Sequence, residues 1–233
     1  AASDVYKRQI ELGAATIEGT DTFAVDDTND GTTGSNLSFS AAGARALLIQ
    51  SDGADADDTA NLGTIDVGDN NNTSTLIVND ASNGDAFLVI VNGAVTGDVA
   101  TDANDLDIVL TATANNDAGN TTLEFKSGVD IGAGTITLTG DADDTSILKF
   151  SGASNQAIEG AIVSTTNDLG SKIIIANGSN TATFSTAIGA NGGNGVELLV
   201  VEAGTRGSAT FSSTVNAKTV DLSLIHISEP TRP

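Results

Sequence analysis

Between Gly160 and Asp221 one pattern is laid down twice in succession, and that repetition restricts the chain to few architectures. The first copy holds Ala161-Ile162, Lys172-Ile-Ile-Ile175 and Thr183-Phe184-Ser185. The second holds Ala187-Ile188, Leu198-Leu-Val-Val201 and Thr210-Phe211-Ser212. Ile162 and Ile188 stand 26 residues apart, and Phe184 and Phe211 stand 27 apart, so one inserted residue relates the copies. A period of this length describes a supersecondary unit that cannot bury its apolar face alone and must stack on a like neighbour. A looser copy is expected from Gly93-Ala94-Val95 to Thr122-Leu-Glu-Phe125. A longer echo relates Asp55-Ala-Asp-Asp-Thr59 with Leu62 to Asp141-Ala-Asp-Asp-Thr145 with Leu148, and Leu37-x-Phe39 to Leu123-x-Phe125, at an offset of 86 residues.

Short apolar or alternating runs, punctuated by Gly, Asn, Asp and Ser, fill the chain from Leu37 onward. The expected strands are 37–39, 46–49, 64–67, 75–78, 87–91, 106–111, 122–126, 135–139 and 147–150. They continue with 158–163, 172–176, 181–185, 196–201, 209–212 and 215–220. Most span four to six residues and are rich in β-branched side chains, which reads as strand, and no window sustains a 3.6-residue period. The expected fold is therefore all-β, a right-handed parallel β-helix (β-solenoid) with coils of roughly 20–27 residues and about three strands each. About eight coils at the ~4.8 Å ladder spacing would make a rod of roughly 40 Å. Tandem β-sandwiches of about 100 residues are the alternative, although sandwiches usually anchor their cores with more aromatics than the seven Phe found here.

The two ends are set apart. Tyr6, Lys7 and Arg8 crowd into residues 1–9, while residues 222–233 hold the only His, His226, and both prolines, Pro230 and Pro233. Asp4-Val-Tyr-Lys-Arg-Gln9 can be encoded as GAT GTG TAT AAG AGA CAG. The reverse complement of that DNA translates as Leu-Ser-Leu-Ile-His-Ile, which is Leu222 to Ile227. An inverted DNA segment read as protein at both ends resembles a sequencing-library adapter, so 1–9 and 222–233 are expected to be non-native tails around a solenoid segment at 10–221.

Without Asp4 and Glu229 the 31 acidic residues become 29, and without Lys7, Arg8 and Arg232 the 9 basic ones become 6, a net charge of −23. The six basic residues are scattered singly along the chain, whereas phosphate neutralisation needs clustered Lys and Arg. Nucleic acid is excluded as a partner, and so is docking on anionic lipid. The longest apolar run, Ala86 to Val91, is far too short for direct membrane insertion as a helix. No Cys is present, so neither disulfides nor thiolate metal sites are available.

The terminal unit, Thr183-Phe-Ser-x-Ala-Ile188, Leu198-Leu-Val-Val201 and Ala209-Thr-Phe-Ser-x-x-Val215-Asn-Ala-Lys-Thr-Val220, resembles a degenerate Phe-x-x-x-Val/Ile-x-Ala strand repeat. That repeat belongs to bacterial autotransporter passenger domains and related large surface adhesins. The resemblance is clear over 160–221 and weaker back to about Leu37. It implies a structural, surface-displayed stalk in an extracellular or outer-membrane-attached protein, with a membrane barrel further along the chain. The implied partners are a host or neighbouring cell surface, or a polysaccharide, with lateral self-association between copies.

Chemistry has few candidates. Asp26-Asp27 with Asp30, Asp52 with Asp55-Asp57-Asp58, and Asp141-Asp143-Asp144 could supply oxygens to calcium, which takes six to eight of them. None has EF-hand spacing, and Gly192-Gly-Asn-Gly195 starts like a calcium nonapeptide repeat but occurs once, with Glu197 where Asp is expected. Solvated turns braced by Asx hydrogen bonds are the favoured reading of these clusters. With His226 in a tail, no imidazole remains for a catalytic triad. No Trp or Tyr is left in 10–221 to stack on sugar rings, so a carbohydrate-active β-helix ranks last. No enzyme activity is expected, and the expected catalytic, cofactor and metal residues are none. Calcium is the one candidate ion, and a calcium-binding surface-layer or adhesion module is the functional alternative.

Overall fold

The computed structural model describes residues 15–17, 20–25, 35–39, 45–51, 58–66, 73–80, 86–97, 106–112, 119–165, 169–189, 195–202 and 208–223. Their regular structure consists of strands. In chain order these are β1 (Ala15–Ile17), β2 (Thr20–Val25), β3 (Ser35–Phe39), β4 (Ala46–Ser51), β5 (Asp58–Asp66) and β6 (Ser74–Asn79). Next come β7 (Phe87–Val91), β8 (Val95–Thr96), β9 (Leu106–Thr111), β10 (Asn120–Phe125), β11 (Val129–Thr139) and β12 (Thr145–Phe150). The last six are β13 (Gln156–Ser164), β14 (Ser171–Ile175), β15 (Thr181–Phe184), β16 (Val196–Glu202), β17 (Ser208–Phe211) and β18 (Ala217–Ser223).

Each strand away from the ends of the stack pairs in parallel with strands one coil before and one coil after it, building three ladders that we call faces one, two and three. Face one stacks β1, β3, the end of β5, β8, the start of β11, the start of β13, β15 and β17. Face two stacks β2, β4, β6, β9 and the second halves of β11 and β13, then continues through single bridges at Ile188 and Val215. Face three stacks the start of β5, then β7, β10, β12, β14, β16 and β18. The chain visits face three, one and two in turn. This is the parallel β-solenoid that the repeat predicts; a sandwich would need antiparallel pairs, and every named pairing here is parallel.

Alternation along each strand sends one side chain inward and the next outward. The inward residues line up as columns: Leu37, Ile65, Val95, Val129, Ile158, Phe184 and Phe211 on face one. Face two contributes Leu47, Leu76, Ile108, Ile136, Ile162, Ile188 and Val215. Face three contributes Ala60, Val89, Leu123, Leu148, Ile173 and Leu199, beside Leu62, Val91, Phe125, Phe150, Ile175 and Val201. Most of these are fully buried. Each large aliphatic or Phe side chain so buried contributes about 1.5–3 kcal/mol, and no coil holds enough of them to stand alone. Phe125 stacks on Phe150 at 5.9 Å, Phe150 meets Phe184 edge-on at 5.2 Å across a corner, and Phe184 stacks on Phe211 at 5.2 Å.

The corners carry the irregularity. Within β13 the turn from face one to face two falls at Gly160, where φ is +121° and a Cβ would lie 2.3 Å from Ile131 Cγ1. Gln156 ties another corner: its Oε1 accepts from Gly152 N at 3.0 Å, while Nε2 donates to Phe125 O at 3.0 Å and Ser127 O at 2.7 Å.

All fifteen expected strands have counterparts, and β1, β2 and β8 are additional. Coil length departs from expectation. Rungs of face one at Ala15, Leu37, Ile65, Val95, Val129, Ile158, Phe184 and Phe211 lie 22, 28, 30, 34, 29, 26 and 27 residues apart, so four of seven exceed 27. Face width fixes strand length, so extra residues collect at corners. The boundary expected between 221 and 222 falls inside β18, where Leu222 pairs Val201 and Ser223 pairs Glu202. Residues 1–9 and 224–233 lie outside the described residues.

Candidate interaction surface

The acidic cluster Asp141-Asp143-Asp144 occupies the corner between face two and face three, and its three carboxylates go separate ways. Asp141 Oδ1 accepts from Asp143 N and Asp144 N, both at 2.9 Å, bracing the turn. Those two bonds, Asp143's first, favour the charged form and hold the Asp141 carboxyl below the usual carboxylate range. Asp143 is exposed to solvent. Asp144 turns inward, only 1% exposed; its Oδ1 accepts from Gly119 N at 2.7 Å, and its buried Oδ2 has no hydrogen-bond partner. Burial pushes the Asp144 carboxyl up; the Gly119 bond opposes this, and the charges of Asp141, Asp143 and Asp80 add to it. Asp80, also buried, accepts from Ser51 Oγ at 2.7 Å.

Among the described residues no three His, Cys, Asp or Glu side chains come together as a group able to hold a metal ion. Asp26, Asp27, Asp30, Asp52, Asp55 and Asp57 lie outside the described residues, as do Gly192, Gly193 and Asn194. Glu197, which stands where a calcium repeat would place Asp, braces neighbouring coils instead. Its Oε2 accepts from Gly170 N at 2.8 Å, and its Oε1 lies 3.8 Å from Lys218 Nζ.

The three outer surfaces differ in character. Face one is polar and acidic, with Asp66, Asp130 and Glu159 on its outward columns. Face two presents the aliphatic column Leu48, Ile77 and Val109, followed by Thr137 and Val163. Face three mixes aliphatic and charged residues. One outward column runs Leu88, Thr122, Ile147, Lys172, Leu198 and Thr219, and the next runs Ile90, Glu124, Lys149, Ile174, Val200 and Asp221. Lys149 Nζ sits 3.3 Å from Glu124 Oε1, which also accepts from Ser151 Oγ. A shallow depression of about 330 Å³ opens between Thr145, Lys172, Glu197 and Lys218.

Lysines that look scattered in sequence thus gather on one side. Lys149, Lys172 and Lys218 are all on face three, and Lys126 directly follows its strand β10. Strand parity was the available signal: each lysine follows or precedes an inward apolar residue, so all point outward. What singles out face three is the path of the coil, which no local pattern reports.

Three registered parallel ladders around one continuous core define the class, a three-faced β-solenoid. Comparison with known proteins finds no family model, curated protein or solved structure similar to this chain.

Proposed function

We propose that this chain is a structural, surface-displayed stalk segment of a bacterial secreted or outer-membrane adhesin-like protein, with no catalysis of its own. One observation carries the reading. The tandem units at 160–221 stack as consecutive rungs, Ile162 on Ile188 on Val215 and Phe184 on Phe211, so the repeated motif is committed to ladder and core. A repeat committed to stacking leaves function to the corners and outer faces, where binding residues sit on a rigid scaffold. The degenerate Phe-x-x-x-Val/Ile-x-Ala repeat supports the passenger-type address, and the net charge of −22 suits solubility outside a polyanion-binding role. The partners proposed are a host or neighbouring cell surface, or a polysaccharide.

The test is to recover the intact gene from unfragmented DNA and read beyond both ends. An upstream secretory signal and a downstream run of alternating strands of about ten residues, as membrane barrels have, are expected. A gene that encodes neither an export signal nor any surface-anchoring domain would overturn the proposal.

A further inference from the structure

We infer that the outer surface of face three is where two copies of this chain meet, packed face to face about a two-fold axis. Association of two molecules that each carry −22 is opposed at every surface dominated by carboxylates. Face one, with Asp66, Asp130 and Glu159 outward, is such a surface. Face three is different, because its three lysines stand among the accessible carboxylates Glu197, Glu202 and Asp221, while Glu124 is buried against Lys149. A two-fold contact is self-complementary, so a surface carrying both signs sets lysine against carboxylate when it meets its own copy. Between the charges lie the partly exposed aliphatic side chains Leu88, Ile90, Ile147, Ile174, Leu198 and Val200, which gain by leaving water. Face two is aliphatic as well, but its described outer surface lacks this alternation of sign, and only Arg45 and Asp107 bear charge there.

The inference is independent of the surface address proposed above and concerns the purified chain alone. The experiment is sedimentation velocity of the full 233-residue chain over a range of concentration at low and high salt. A dimer that tightens with added salt is expected, because screening weakens the net repulsion while apolar contact persists. Ile147→Lys sets a cation next to Lys172 in the column and, through the two-fold axis, doubles it; it should weaken the dimer by at least about tenfold. Lys172→Glu removes the complement in the depression and should also weaken it. Val109→Lys, outward on face two, should leave the dimer intact. Melting curves like the parent's show that each variant is folded. A monomer under all conditions overturns the inference, and so does a dimer that survives both face-three changes or is lost with Val109→Lys. Polysaccharide binding at Lys172 by a strictly monomeric chain also overturns it.

Discussion

Phe150 offers the most direct test of how the stack is held together. It is fully buried in β12, and it bridges two faces: parallel stacking on Phe125 at 5.9 Å within face three, and edge-on contact with Phe184 at 5.2 Å on face one. Phe150→Ala removes the transfer free energy of the ring and leaves a cavity, for which about 3–5 kcal/mol is usual. Phe87 is an internal standard, since it is equally buried on the same face and none of the ring pairs includes it. Each aromatic pair contributes about 0.5–1.5 kcal/mol beyond area, so Phe150→Ala should exceed Phe87→Ala by about 1–3 kcal/mol. The assay is urea unfolding followed by circular dichroism, with both variants compared at a common slope. Coils couple chiefly to their neighbours, so hydrogen exchange should also loosen first in β10, β12 and β15, the strands that hold the three rings. Equal losses for Phe150→Ala and Phe87→Ala, or a larger loss at Phe87, would refute the bridging role.

Asp144 carries a folded-state pKa raised by burial, so its contribution to stability is fully present below the unfolded carboxylate value and is lost as pH rises through the folded one. Asp144→Asn should therefore be the more stable protein at neutral pH, with the gap closing on acidification; parallel melting-versus-pH curves would sink this. Gly140→Ala would put a Cβ 1.9 Å from the Gly170 carbonyl oxygen, a backbone clash expected to cost about 3 kcal/mol or more. Gly178→Ala meets open space and faces only its φ of +61°, costing about 1–2 kcal/mol, and denaturation midpoints should rank the two in that order. Removal of calcium by excess chelator should leave the melting temperature unchanged, since Asp141 is engaged in its turn and Asp144 in Gly119; a fall of many degrees would assign the acidic corners to a cation.

The tandem pair at 160–221 was legible because repetition in sequence and stacking in space coincide there, with Phe184 on Phe211 and Lys172 on Leu198 in one register. The longer-range matches were not so faithful. Thr59 stacks through Leu88 and Thr122 onto Ile147, two residues beyond the Thr145 that the 86-residue echo proposes. Leu37 lies on face one and Leu123 on face three, so that part of the echo joins different sides of the coil. The looser copy fails similarly, since Val95 pairs on face one and Ile162 on face two. Glycine, asparagine and aspartate recur at most corners, so resemblance between corners carries no register. β8 carries no signal in the sequence, because two residues, Val95 and Thr96, are too short to show a period. The inward carboxylate of Asp144 was equally hidden. Nothing in Asp141-Ala-Asp-Asp144 distinguishes the acid that braces the turn from the one that enters the core.

The uneven spacing of the face-one rungs, from 22 to 34 residues, has a consequence for how such a chain can change over generations. Residues added or deleted at a corner alter neither the parity of the strands nor the column each inward side chain joins. Mutational tolerance is thus partitioned by place. Within a strand a single inserted residue would turn the inner set outward. At a corner the same event merely lengthens a displayed loop at the small entropic cost of a longer closure. Corner segments behave as exchangeable cassettes on an invariant mandrel, and new surface chemistry can be tried there without renegotiating the core.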